Sequence, residues 1–119
     1  MAFFNRSQTK NFRSVSPDEA AFLLQEGARI AVLDVRNPDE YHSTTGRLQN
    51  AILIPVDELS SRLAELGGLK EKTILVYCRS GIRSRRACEI LSKEGFTVVN
   101  LEGGILKWLG ESHSVVRLT

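Results

Sequence analysis

The chain has 119 residues and a mass of 13.3 kDa, one domain's worth. Hydrophobic residues make up 42% and charged residues 25%, which excludes a disordered, collagenous or fibrous chain. The 16 basic and 14 acidic side chains leave a net charge of +2, too little to indicate a nucleic-acid partner or a membrane surface from bulk electrostatics.

Residues 1–11 are mostly polar without a clear period and read as an N-terminal tail, with Phe3 and Phe4 as candidate docking points. The apolar start, Ala2, Phe3 and Phe4, is far too short for the core of a signal peptide. With only two cysteines besides, a reducing, cytoplasmic setting is expected. No run approaches the roughly 18 apolar residues of a membrane span. The folded unit is expected over residues 12–109, with a polar C-terminal tail over 110–119 in which Val115 and Val116 have some strand character.

Ser16 as N-cap, Pro17 at the first helical position and Glu19 three residues after the cap predict a helix running to about Glu26 and closed by Gly27. Its apolar stripe is Ala20, Ala21, Leu23 and Leu24. Residues 29–35 (RIAVLDV) form a nearly continuous apolar run, the pattern of a strand buried on both faces of a parallel sheet. Similar runs occupy 51–54 and 73–77, with a shorter one at 97–101. Between them lie helical patterns at 38–41, at 57–66 closed by Gly67 and Gly68, and at 83–94 closed by Gly95. A last short helix is expected at 105–109, behind Gly103 and Gly104. This alternation predicts an α/β domain with a largely parallel central sheet and helices on both faces.

Ligands of such sheets bind at the carboxyl ends of the strands, which selects two places. One is Asp34, Val35 and Arg36, an opposed charge pair leaving a buried strand. The other begins at Cys78 and continues through Arg79, Ser80, Gly81, Ile82, Arg83 and Ser84 into a helix. A cysteine so placed has its sulfur near several backbone N–H groups and the positive end of a helix dipole. Gly81 permits positive φ, and Arg79, Arg83, Arg85 and Arg86 add positive charge. A free thiol has a pKa of about 8.5, and a drop of roughly two units makes it about three-quarters thiolate at neutral pH. Cys78 is therefore the candidate nucleophile. On a helical wheel Arg85 and Arg86 fall on the outer face with Glu89, Ser92 and Lys93, which leaves Arg79 and Arg83 as the better anion ligands. Cys88, on the edge of the same helix's apolar stripe, is expected to fill the core.

These residues resemble the rhodanese homology domain of the single-domain thiosulfate sulfurtransferase type, over most of the chain from about Val15 to Trp108. The resemblance rests on Leu33-Asp34-Val35-Arg36 followed by Pro38-Asp39-Glu40-Tyr41, and on Gly46-Arg47-Leu48-Gln49-Asn50-Ala51 leading to Ile54-Pro55. It rests also on the loop from Cys78 to Ser84, and on Leu101-Glu102-Gly103-Gly104-Ile105 before Trp108. Where many members have Gly-His-Ile-Pro-Gly-Ala, this chain has Arg47, Gln49 and Asn50, with a short insertion among His42, Ser43, Thr44 and Thr45. The departure lies on a connecting loop, where contacts to partner or substrate are expected to differ.

The resemblance implies a single rhodanese-like domain with a largely parallel five-stranded sheet. Cys78 is implied as the sulfur-accepting nucleophile, Arg79 to Ser84 as the loop around it, and Asp34 with Arg36 as an ion pair supporting that loop. It implies a small anionic sulfur donor such as thiosulfate and an acceptor that is cyanide or a thiol, on a small molecule or a protein. No organic cofactor is expected. His42 and His113 stand in no ligand-spaced cluster, so no metal is expected either.

Two other readings share the loop. One is a persulfide carrier or regulatory binding module without enzymatic turnover. The other is a cysteine-dependent phosphatase of the rhodanese-related cell-division-cycle type, whose loops follow C-x5-R. Here the sixth position after Cys78 is Ser84, and the arginine, Arg83, stands at the fifth.

Overall fold

The computed structural model describes residues 12–117. Tail residues Phe3 and Phe4 lie outside the described residues. Five strands alternate with four α-helices: β1 (Arg13–Val15), α1 (Pro17–Leu24), β2 (Ile30–Asp34), α2 (Pro38–Tyr41), β3 (Ile52–Leu53), β4 (Thr73–Tyr77), α3 (Ile82–Lys93), β5 (Thr97–Leu101) and α4 (Gly104–Gly110). They form one sheet of order β1-β5-β4-β2-β3, and every pairing is parallel. The central strands β2, β4 and β5 are the apolar runs read from the sequence, because only a strand covered on both faces gains from side chains that are apolar at every position.

Alternate residues of these strands feed two cores. Leu33, Ile74, Val76 and Val98 face one side and pack with Ala87, Cys88 and Leu91 of α3. Val32, Leu75, Tyr77, Val99 and Leu101 face the other and pack with Ala20 of α1 and with Ile105 and Trp108 of α4. Each fully buried Leu or Ile contributes about 1.5–3 kcal/mol relative to its exposed state. Helices thus cover both faces, as the alternation predicts.

Four local features differ from the sequence reading. Strand β1 is three residues long and pairs with β5, too short to register as an apolar run. Helix α1 stops at Leu24. Its end tightens into bonds from Gln25 N–H to the Phe22 carbonyl and from Glu26 N–H to the Leu23 carbonyl (3.1 and 3.0 Å), since Gln25 and Glu26 are exposed and give no apolar face for a further turn. The stretch expected as one α-helix is instead two 3₁₀ segments, Val56–Ser61 and Leu63–Leu69. Val56 and Leu59, and again Leu66 and Leu69, are three apart, and a 3₁₀ turn stacks such residues directly above one another toward the core. The run at 51–54 is an edge strand of two residues, with Ile52 exposed.

The segment after α4 returns to the body of the domain. Val116 and Arg47 exchange both backbone hydrogen bonds in an antiparallel bridge (2.7 and 2.9 Å), and the Trp108 indole N–H donates to the Ser114 carbonyl (2.9 Å). Among the described residues no helix is long and apolar enough to cross a membrane.

Candidate functional site

Cys78 follows β4 directly, at the carboxyl edge of the sheet, and the chain turns at once into α3. The turn depends on Gly81, the N-cap of α3, whose φ of 107° is one that other residues rarely adopt. It is backed by the start of α4. The Ile105 amide donates to the Cys78 carbonyl (2.9 Å) and the Leu106 amide to the Arg79 carbonyl (3.2 Å). Gly104 is obligatory for this approach, because a Cβ there would collide with the Arg79 carbonyl.

The residue is almost fully buried, yet its sulfur faces donors. The amides of Gly81 and Ser84 point at Sγ from 3.0 and 3.4 Å, and the Ser84 hydroxyl lies 3.5 Å away. Burial pushes the thiol pKa up, but the Ser84 hydroxyl and the amides of Ser84, Gly81 and Ser80 outweigh it and hold the thiol below its ordinary value. The site is therefore a ring of N–H and O–H donors around a sulfur that is prone to ionise.

Ser84 is itself buried and has one proton to give: beside the neutral thiol its oxygen accepts from Cys78 and its proton goes to Asn100, and beside the thiolate that proton turns to Sγ. Its hydroxyl lies within hydrogen-bond distance of the Gly81 carbonyl (3.2 Å) and makes a short hydrogen bond to the Asn100 side-chain carbonyl, while the Asn100 amide donates to the Ser14 hydroxyl (3.1 Å). A chain of polar groups thus links Sγ, through α3 and β5, to strand β1. Asn100 has no part in the sequence reading, since its closeness to Ser84 arises only when α3 packs against β5. Its signal was a lone amide inside an otherwise apolar strand.

Of the four arginines, Arg79 is exposed and makes no ion pair among the described residues. Arg85 and Arg86 are exposed on the outer face of α3, with Arg86 3.7 Å from Asp57. Arg83 is directed at Glu40 of α2 in a two-pronged ion pair of 2.7 and 2.8 Å. Glu40 holds Arg83 above its ordinary value, with Cys78 a smaller through-space contribution. The donors that touch Sγ are thus amides and a hydroxyl, not guanidinium groups. Ile82, the first residue of α3, stands 78% exposed beside this loop.

Asp34 and Arg36 form a buried pair one strand away, Asp34 lying opposite Tyr77 in the sheet register. The Arg36 side chain donates to both Asp34 oxygens at 2.6–3.0 Å. It reaches on to the Gly46 carbonyl and the Thr45 hydroxyl (2.9 and 3.2 Å). The Tyr77 hydroxyl donates to Asp34 (2.6 Å) and accepts from the Leu48 amide (3.1 Å). Burial pulls the Arg36 pKa down, but Asp34 more than restores it. The pair ties the β2 and β4 ends to the loop at Thr45 and Gly46.

Cys88 is fully buried with Ala87 and Leu91, and burial pushes its thiol pKa up to about 12. Away from the loop, Asp18, Glu111 and His113 bring one potential ligand atom each within 4.8 Å of one another. There His113 already bonds Asp18 (2.9 Å) and stacks on Trp108.

A model of the rhodanese-like domain matches residues 16–111. A sulfurtransferase of Allochromatium vinosum is 35% identical over 86 residues, covering 71% of this chain and 77% of the relative. The thiosulfate sulfurtransferase PspE of Escherichia coli is 41% identical over 73 residues, covering 61% of this chain and 68% of its own. A solved rhodanese-related protein from Thermoplasma volcanium superposes with a TM-score of 0.78 at 36% identity, over 87% of this chain and 97% of that one. Sheet order, cysteine loop and sequence matches agree, and the chain belongs to the rhodanese-like domain family.

Proposed function

We propose that this chain is a sulfurtransferase that moves a sulfane sulfur from thiosulfate or a related donor to a thiophilic acceptor through a persulfide on Cys78. The observation that carries the reading is the pair of amides, Gly81 and Ser84, aimed at Sγ with the Ser84 hydroxyl beside them. Fixed donors of this kind stabilise negative charge in place and need no rearrangement during reaction. The Cys78 thiolate attacks the outer sulfur of the donor, a new S–S bond forms, and the donor's S–S bond breaks. Sulfite leaves with that electron pair, and the cysteine persulfide anion remains. Cyanide in a test tube or a thiol in the cell then takes the terminal sulfur and regenerates the thiolate.

The phosphatase reading has less support, because Ser84 stands at the sixth position after the cysteine and supplies a buried hydroxyl rather than a cation to grip a phosphoryl group. The test is formation of thiocyanate from thiosulfate and cyanide. Native protein is expected to turn over and Cys78→Ser to fall to background, whereas equal rates in the two would contradict the reading. Slow turnover by native protein, combined with fast transfer to one protein partner, would identify a sulfur carrier rather than an enzyme for small acceptors.

A further inference from the structure

Arg83, expected from sequence to receive the anionic donor, is already engaged. Its two terminal nitrogens each hold one oxygen of Glu40, at 2.7 and 2.8 Å, which is the strongest geometry open to a guanidinium and a carboxylate. Glu40 is anchored in turn, because one of its oxygens accepts the Asn37 amide (3.1 Å) and so closes the capping box of α2. Hydrogen bonds from Arg83 outweigh burial and hold the Glu40 carboxyl pKa down to about 2, so it is ionised wherever the protein works.

We propose that Glu40 is a donor-specificity residue: by sharing Arg83 it disfavours doubly charged donors such as thiosulfate relative to singly charged sulfane donors such as thiosulfonates and persulfides. This inference rests on the sulfur-transfer reading of the Cys78 loop. The charge balance supports it. Arg36 is matched by Asp34, and Arg83 by Glu40. Of the other arginines of the loop and α3, Arg79 on the exposed turn and Arg85 on the outer face of α3 are screened by solvent and salt, and Arg86 on that outer face pairs with Asp57. Arg83 lies within electrostatic reach of Cys78, so a donor approaching the thiolate meets the field of Arg83 together with that of the Glu40 carboxylate bound to it. The repulsion it meets scales with its own charge.

The experiment compares thiosulfate with the methanethiosulfonate anion, cyanide being the acceptor for both. Each gives up its outer sulfur by cleavage of one S–S bond, releasing sulfite or methanesulfinate, and the two donors differ by one negative charge. kcat/KM is measured for native chain, Glu40→Gln and Glu40→Asp. Glutamine keeps an oxygen for the Asn37 amide, and circular dichroism confirms that each variant is folded. In Glu40→Gln the ratio of kcat/KM for thiosulfate over methanethiosulfonate is expected to rise about fivefold, chiefly through a lower KM for thiosulfate. In Glu40→Asp, which retains the charge, it is expected to stay within about twofold of native. A ratio that is unchanged or lower in Glu40→Gln overturns the proposal and leaves sulfur transfer standing. Native protein that gains no sulfur on Cys78 from either donor overturns the sulfur-transfer reading, and this inference with it.

Discussion

At Cys78 two influences oppose each other. Burial favours the neutral thiol, while one hydroxyl and three amides favour the thiolate, and the donors prevail. Ser84 is the only one of these donors that a side-chain substitution can remove. Ser84→Ala is therefore expected to move the pH midpoint of Cys78 alkylation upward. Arg83→Ala, which the sequence alone would name as the larger perturbation, is expected to move it less, because that guanidinium is spent on Glu40. Alkylation rates of the two variants between pH 5 and 10 decide the order, and a larger shift in Arg83→Ala would contradict it. The placement of Cys78 and the glycine of its turn were legible in the sequence because a strand end, a turn and a helix start are local. Asn100 and the Glu40–Arg83 pair were not, since each depends on elements far apart in the chain coming together.

Among the elements, α2 and the loop after it are held to the sheet by charge. Arg36 satisfies both Asp34 oxygens, the Gly46 carbonyl and the Thr45 hydroxyl from a nearly fully buried position. Arg36→Ala leaves Asp34 buried without its counter-ion, so a loss of about 3–5 kcal/mol is expected in denaturant unfolding. A loss below about 1 kcal/mol, the range of exposed pairs, would show that the pair is not structural. The Glu40–Arg83 pair adds a pH dependence. Hydrogen bonds from Arg83 depress the folded-state pKa of Glu40 to about 2, so its contribution is complete above the ordinary carboxylate range and is lost as pH falls through about 2. Glu40→Gln is expected to flatten the fall in Tm over that acidic window, and an unaltered slope would contradict this. The sequence marked α2 as a helical pattern at 38–41, and the structure adds the capping box that Asn37 and Glu40 close. It did not mark the 3₁₀ geometry between β3 and β4, where apolar spacings of three and four fit an α-helix as well.

At the scale of the whole molecule, the order β1-β5-β4-β2-β3 brings the ends of β2 and β4 together and places α3 and α4 so that their first turns meet around Cys78. The alternating pattern made the parallel sheet readable, because central strands covered on both faces are apolar throughout. It left one edge unread and drew the other too long. Strand β1, only three residues long, carries too few side chains to show a period, and the run read at 51–54 is an edge strand of two residues. The bridge from Val116 to Arg47 was unread for a related reason, since an isolated pairing has no repeat. All of this architecture serves one claim, that a donor ring keeps sulfur anionic on Cys78. The most direct test is intact-protein mass spectrometry after exposure to thiosulfate, comparing native chain with Cys78→Ser. A gain of one sulfur atom in native protein and none in the variant is the expected result. An unmodified native protein, or the same gain in both, would contradict the account.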